Sequence, residues 1–257
     1  MESEVNFIDA LDLLEWQLEL GVTETIGNQE VNRYLEVKPK SESETKANIT
    51  SKEKTTIVEP TLVASSIANA ANSLDDLAKA ISSFDYCDLK KGARNLVFSD
   101  GSPSAKVMII GEIPDREEDM FGKPFVGEAG VLLDKMFNAI GYGRSLSKAS
   151  IYLTNVVPWR TPQNRPLTLN EQETLKPFLV RHIELIQPKF LIVMGNTPSQ
   201  ILLNEDRITK LRGKWNTFSG IPTLPMLHPS YLLRNPSEKK ETWEDLKMLK
   251  IRLGEDL

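Results

Sequence analysis

One cysteine, Cys87, and two histidines, His182 and His228, are all that the chain carries of the commonest soft metal ligands and nucleophile partners. A single thiol excludes an internal disulfide and any multi-thiolate metal site built from this chain alone. No apolar run approaches the roughly 18 residues of a membrane span. The opening Met1-Glu2-Ser3-Glu4-Val5 is acidic and lacks the basic-then-apolar layout of a secretory leader, so the expectation is a cytoplasmic protein. No glycine-rich phosphate loop follows the first apolar strand, which disfavours an enzyme of small nucleotides.

Acidic residues are missing where they would be informative. Residues 1–84 hold 7 Lys/Arg against 15 Asp/Glu, whereas residues 85–257 hold 24 against 21. Between Asp134 and Glu171 there is no acid, but there are Lys135, Arg144, Lys148, Arg160 and Arg165. Between Asp206 and Glu238 the only charges are Arg207, Lys210, Arg212, Lys214 and Arg234. Two one-signed stretches are either the electrostatic footprint of a phosphate backbone or two solvated loops, and charge alone does not choose between them.

Apolar spacing predicts a helix over residues 5–20, ending near Gly21, within an N-terminal segment of residues 1–35. Residues 36–60 are rich in Lys, Glu, Ser and Thr, too poor in apolar side chains to offset ordering entropy, and read as a disordered linker. The rest, 61–257, reads as one domain. It opens with a helix over about 61–83. Strands follow at Lys106–Gly111, Ile151–Val157 and Phe190–Gly195, with a weaker, proline-marked one at Pro222–Leu227. Helices are expected over about 127–141, 169–186, from Thr197-Pro198, and over about 237–252. This alternation implies an α/β fold, a three-layer α/β/α sandwich on a four-stranded, largely parallel sheet.

In such sheets ligands bind outside the carboxyl ends of the strands. Gly111-Glu112, Asn155 and His228 all fall at strand ends. Pro229 biases His228 toward an extended backbone, so its imidazole is fixed there rather than inside a helix. Two leucines and an arginine, Leu232-Leu233-Arg234, follow on an expected loop. A fixed imidazole beside an apolar wedge and a cation suits attack on a nucleotide drawn out of a duplex. Singly, each residue has a plainer reading: Asn155 as a turn or cap residue, Phe125 as core, Glu112 as a surface or capping carboxylate. His182, inside the expected 169–186 helix, is read as structural.

Taken together and in order, six segments resemble the uracil-DNA glycosylase superfamily, most closely its family 4. They are Gly111-Glu112-Ile113-Pro114-Asp115-Arg116-Glu117-Glu118-Asp119, Gly122-Lys123-Pro124-Phe125-Val126-Gly127, Leu132-Leu133-Asp134, Thr154-Asn155-Val156-Val157, Leu211-Arg212-Gly213-Lys214-Trp215 and His228-Pro229-Ser230-Tyr231-Leu232-Leu233-Arg234. The resemblance covers roughly residues 84–252. It implies monofunctional hydrolysis of the N-glycosidic bond of uracil in single- or double-stranded DNA. By the same resemblance His228 donates to uracil O2, Asn155 reads the base edge, Phe125 stacks on the flipped base and Glu112 positions or polarises water. Arg160, Arg165, Arg212, Lys214, Leu232, Leu233 and Arg234 are the expected DNA contacts.

Two departures stand out. Family 4 generally holds a [4Fe–4S] cluster through four cysteines; here Cys87 occupies one of those positions and Phe84, Trp159 and Leu175 the others. Since such clusters need thiolates, the expectation is no cofactor and an apolar plug. The family also has small residues where this chain has Ile113 and Asp115. Ile113 is expected to narrow the base pocket, and Asp115 is a candidate general base. A monomer is expected, its N-terminal helix free to bind another protein. The alternatives are a glycosylase for another deaminated base, hypoxanthine or xanthine, and a DNA-binding relative without activity.

Overall fold

The computed structural model of the chain describes residues 59–254. The expected helix over 5–20 and nearly all of the expected linker lie outside the described residues. Beyond them the first helical region is two helices: α1 (Pro60–Ala70) and α2 (Leu74–Ser83). The break falls at Asn72-Ser73, where the Ser73 hydroxyl accepts from the Asp76 N–H. A Ser followed by two acids is a stronger start signal than the alanine-rich run before it is a reason to continue. A short helix, α3 (Leu89–Gly92), leads to the sheet.

The four expected strands are present: β2 (Val107–Gly111), β3 (Ile151–Asn155), β4 (Phe190–Met194) and β6 (Ile221–Met226). They run parallel in the order β3-β2-β4-β6. The sheet is nevertheless six-stranded and mixed, which corrects the four-stranded expectation. Two short strands, β1 (Asp100–Gly101) and β5 (Asn216–Phe218), pair antiparallel with β3 and β6 at the two edges. Two or three residues carry too little periodicity to be read as strands.

Successive residues of the central strands point to opposite faces, and helices cover both. Met108, Ile110, Leu191 and Val193 join the core that contains Ala64, Ala68, Phe178 and Leu179, from α1 and α6 (Leu169–Ile186). Val107, Ile109, Ile192 and Met194 join the opposite core with Leu133 and Phe137 of α5 (Gly127–Asn138) and Leu246 and Leu249 of α10 (Lys239–Arg252). Between these lie α4 (Arg116–Phe121), α7 (Asn196–Leu203), α8 (Ile208–Leu211) and α9 (Pro229–Arg234). The last is a correction, because the residues after His228 were expected in a loop. Pro229 sits at its first helical position, where a missing N–H costs nothing.

His182 is structural in the described fold. Its Nε2 lies 2.7 Å from the Tyr152 hydroxyl and its ring stacks on Phe98 with centroids 4.5 Å apart. Burial holds its pKa down to about 3, so it is a neutral core residue.

Candidate active site

The carboxyl ends of the parallel strands meet a cleft of about 260 Å³, lined among others by Glu112, Glu118, Phe125, His228, Tyr231 and Arg234. Gly111, the last residue of β2, pairs in register with Asn155, the last of β3. A Cβ on Gly111 would lie 2.6 Å from the Phe125 ring and 2.7 Å from Asn155 Oδ1, so only glycine lets those two groups close over the strand end.

His228 follows β6 by one residue and has an extended backbone, φ −69° and ψ 140°, as its position before Pro229 requires. It caps α9: the Ser230 N–H donates to its Nδ1 at 3.2 Å. A nitrogen that accepts carries no proton, so in the neutral ring the proton is on Nε2. Burial, and then the charge of Arg234, lower its pKa to about 4. At neutral pH the ring is therefore an uncharged donor through Nε2–H. The Phe125 ring is stacked against it, with centroids 5.5 Å apart and planes at 24°.

Phe125 has φ +52°, a left-handed backbone that costs a bulky residue free energy and persists only when its surroundings enforce it. Both ends of the residue are held. Its N–H donates to Glu118 Oε1, and its carbonyl accepts from Arg144 Nη2 at 2.6 Å. Arg144 also donates to Asp134 at 2.7 Å and to Asp100 at 2.9 Å, so the guanidinium is anchored on three sides.

Asn155 is buried, and its Nδ2 donates to Glu118 Oε2 at 3.3 Å. Glu118 is buried as well, and burial outweighs the hydrogen bonds it accepts, raising its pKa to about 7. Glu112 accepts from the Asn196 N–H at 2.8 Å, at the start of α7. Its pKa is raised by burial against that bond and the charge of Arg234. Asp115 is the N-cap of α4, its Oδ1 accepting from the Glu117 and Glu118 N–H groups at 2.8 and 2.9 Å. The structure gives that carboxylate a capping task, which accounts for an acid at this position without base chemistry. Ile113 lines the cleft while packing against the core under α1 and α6.

The expected DNA contacts divide. Leu232 is buried against Ile208 and Leu227, so it is a core residue; Leu233, on the other side of the short helix, is exposed. Arg234 is exposed on the cleft rim and Lys214 is exposed on the surface. Arg212 is committed internally, donating to Asp245 Oδ1 at 2.5 Å and to Glu241 Oε2 at 2.7 Å. Arg165 forms a fork with both oxygens of Glu171, at 2.6 and 2.8 Å. Arg160 donates to Asn164 at 3.0 Å. Leu232 is thus held in the core, and Arg212 is tied to the helix that carries Glu241 and Asp245.

Two site residues escaped the sequence reading. Glu118 completes a capping box with Asp115, whose N–H donates to Glu118 Oε2 at 2.8 Å. The spacing Asp-x-x-Glu before a short helix was the available signal. Arg144 stood only as one more cation in an acid-free stretch; nothing in the sequence tied it to Phe125.

Phe84, Cys87, Trp159 and Leu175, which the resemblance sets at the cluster-cysteine positions, are all buried in one apolar cluster. Phe84 packs edge-on against Phe178 at 5.1 Å. Three of the four side chains have no donor atom suited to iron, and packed side chains fill the place, so the residues do not fit a cluster.

The neutral His228 imidazole and the Phe125 ring line the cleft, and the buried Asn155 amide lies at the end of β3 beside Gly111. The chain belongs to the uracil DNA glycosylase superfamily, whose family model matches residues 98–247. It is 34% identical over 188 residues to a type-4 uracil-DNA glycosylase of Archaeoglobus fulgidus, covering 69% of this chain and 92% of that protein. A type-4 uracil-DNA glycosylase of Saccharolobus solfataricus is 36% identical over 71% of this chain and 88% of its own length. One from Thermotoga maritima is 37% identical over 60% and 79%.

Proposed function

We propose that this chain is a uracil-DNA glycosylase that hydrolyses the bond between uracil N1 and the deoxyribose C1′, leaving an abasic site. The observation that carries the mechanism is the Ser230 N–H bond to Nδ1 of His228, a residue of the cleft lining, which leaves Nε2–H as the ring's donor. As the glycosidic bond breaks, its electron pair moves onto uracil N1 and O2, and the sugar gains positive charge. A donor aimed at O2 lowers the energy of that anion at the moment it forms. A neutral imidazole serves, since what is needed is a hydrogen bond rather than full proton transfer. Water then bonds to C1′ and its proton passes to a carboxylate or to solvent. Glu112, with one oxygen held by the Asn196 N–H, presents the other to that water.

Phe125 supplies the stacking face for the flipped ring. Asn155 accepts from uracil N3–H and rejects cytosine, whose N3 is a lone pair. Leu233 fills the vacated stack, and Arg234 and Lys214 hold phosphates. No cluster takes part, and the aromatic plug around Phe84 replaces its structural contribution. Purified protein is expected to contain no stoichiometric iron and no iron–sulfur absorbance; either one contradicts the plug.

Oligonucleotides carrying uracil, hypoxanthine or xanthine, single- and double-stranded, are incubated with the protein and then treated with alkali to break abasic sites. Breaks at uracil support the reading. Breaks only at a purine would transfer it to another deaminated base, and salt-sensitive binding without breaks would reduce the protein to a DNA-binding module.

A further inference from the structure

We infer that Glu118 is a positioning residue that sets base selectivity, by fixing which end of the Asn155 amide faces the base while it holds the Phe125 backbone. The inference rests on the glycosylase reading and deepens it.

An ionised carboxylate only accepts, and Glu118 is met by three donors: the Phe125 N–H at Oε1, and the Asp115 N–H and Asn155 Nδ2 at Oε2. Asn155 therefore must turn its NH2 end to Glu118. Its Oδ1 is left toward Gly111 and the Phe125 ring, the ring that the glycosylase reading makes the stacking face. An acceptor opposite N3 demands an N–H there, which uracil has, whereas cytosine presents a lone pair at N3 and its only donors at N4. Rotating the amide by half a turn would admit cytosine, but it would set Oδ1 against a carboxylate oxygen. Glu118 thus acts against the wrong base through Asn155. The other oxygen fixes the strained Phe125, so one side chain aligns both the stacking face and the reading edge.

Protonating Glu118 in place removes the constraint, because the acid form has an O–H to offer a flipped Oδ1. The ionisable groups that share its surroundings are Asp115 and Glu117 on its own helix, Glu112 and His228 across the cleft, and Arg144 through the Phe125 carbonyl. The raised pKa of Glu118, about 7, puts this change within reach of ordinary buffers.

The test measures binding, so that the slow chemistry of cytosine does not enter. Single-stranded oligonucleotides carry 2′-fluoro-2′-deoxyuridine or 2′-fluoro-2′-deoxycytidine, whose glycosidic bonds resist cleavage. The preference for uracil is the ratio of the two dissociation constants, for wild type, Glu118→Gln, Asn155→Ala and the double variant. Wild type is expected to prefer uracil by about tenfold or more at pH 8.5, the cost of one unmatched buried hydrogen bond. Glu118→Gln reduces the preference to within about threefold of unity, and adding it to Asn155→Ala changes the preference no further. Wild type at pH 6 loses part of its preference, a measurement that stands even if Glu118→Gln does not fold. A Glu118→Gln variant with wild-type preference, or one whose effect persists undiminished without Asn155, overturns the inference, as does a pH-independent wild-type ratio in the unfolded-variant case. Wild-type release of uracil from ordinary DNA is measured alongside: its absence overturns the glycosylase reading, whereas its presence with a preference indifferent to Glu118 overturns this inference alone.

Discussion

The wall of the cleft formed by the ends of β2 and β3 and the rim formed by α9 are built on opposite terms. On the wall the named side chains are tied to one another. Asn155 is tied to Glu118, Glu118 to two backbone N–H groups, and Phe125 to Arg144, which is itself tied to Asp134 and Asp100. On the rim Leu233 and Arg234 are exposed, in the short helix capped by His228. Base reading needs groups held to within a fraction of an ångström, so their conformational entropy is spent in folding rather than on binding. Phosphate contact needs charge that water still screens and DNA can displace, so its side chains stay free.

The largest effect expected is on chemistry at the junction of the two regions. His228→Ala removes the leaving-group donor and should lower the single-turnover rate of uracil release about 10²–10³-fold. Its affinity for uracil-containing DNA should change little, read by fluorescence anisotropy. Next, breaking the wall should cost stability. Replacing Arg144 by Met takes the cation from Asp134, leaves Asp100 only Lys123 at 3.8 Å and frees the Phe125 carbonyl, a loss of about 1–2 kcal/mol in denaturant unfolding. Uracil release should fall as well, because Phe125 no longer has its left-handed backbone enforced.

Arg212 and Arg234 sharpen the comparison, since sequence alone made both DNA contacts. Arg212→Met leaves Asp245 buried without its cation and should lower stability by about 3 kcal/mol while leaving the salt dependence of DNA binding unchanged. Arg234→Ala should do the reverse, reducing the salt slope by about one counterion with stability within about 0.5 kcal/mol. The smallest effect belongs to Leu233→Ala. It should weaken release from duplex several-fold and from single strands hardly at all, because only a duplex must be held open.

What the sequence made legible, and what it hid, follows the same division. The parallel strands were readable because Val107–Gly111 and Phe190–Met194 are buried on both faces and therefore apolar throughout. Gly111, Asn155 and His228 could be placed together because strand ends converge in any parallel sheet. The edge strands β1 and β5 left no trace, being two and three residues long. Leu232 and Leu233 look alike in sequence; the roughly 100° step between helical neighbours sends the first into the core and the second to solvent. The arginines were least legible. Arg212 finds Asp245 33 residues away and Arg144 finds Asp100 44 residues away, distances over which no local pattern reports a partner. Glu118 had a local signal, the capping box, but the same carboxylate reaches Asn155, 37 residues on, and only the fold shows that.

The account turns on the state of one imidazole. With two histidines in the chain, nitrogen-15 labelling of histidine gives two ring systems, and His228→Ala assigns them. The depressed pKa of about 4 for His228 means that its ring stays neutral from pH 5 to pH 8. The spectra should show a protonated Nε2 and an unprotonated Nδ1 across that range, in free protein and in complex with abasic DNA and uracil. A ring that takes up a second proton with a midpoint near its ordinary value, or one that carries its proton on Nδ1, would contradict the account.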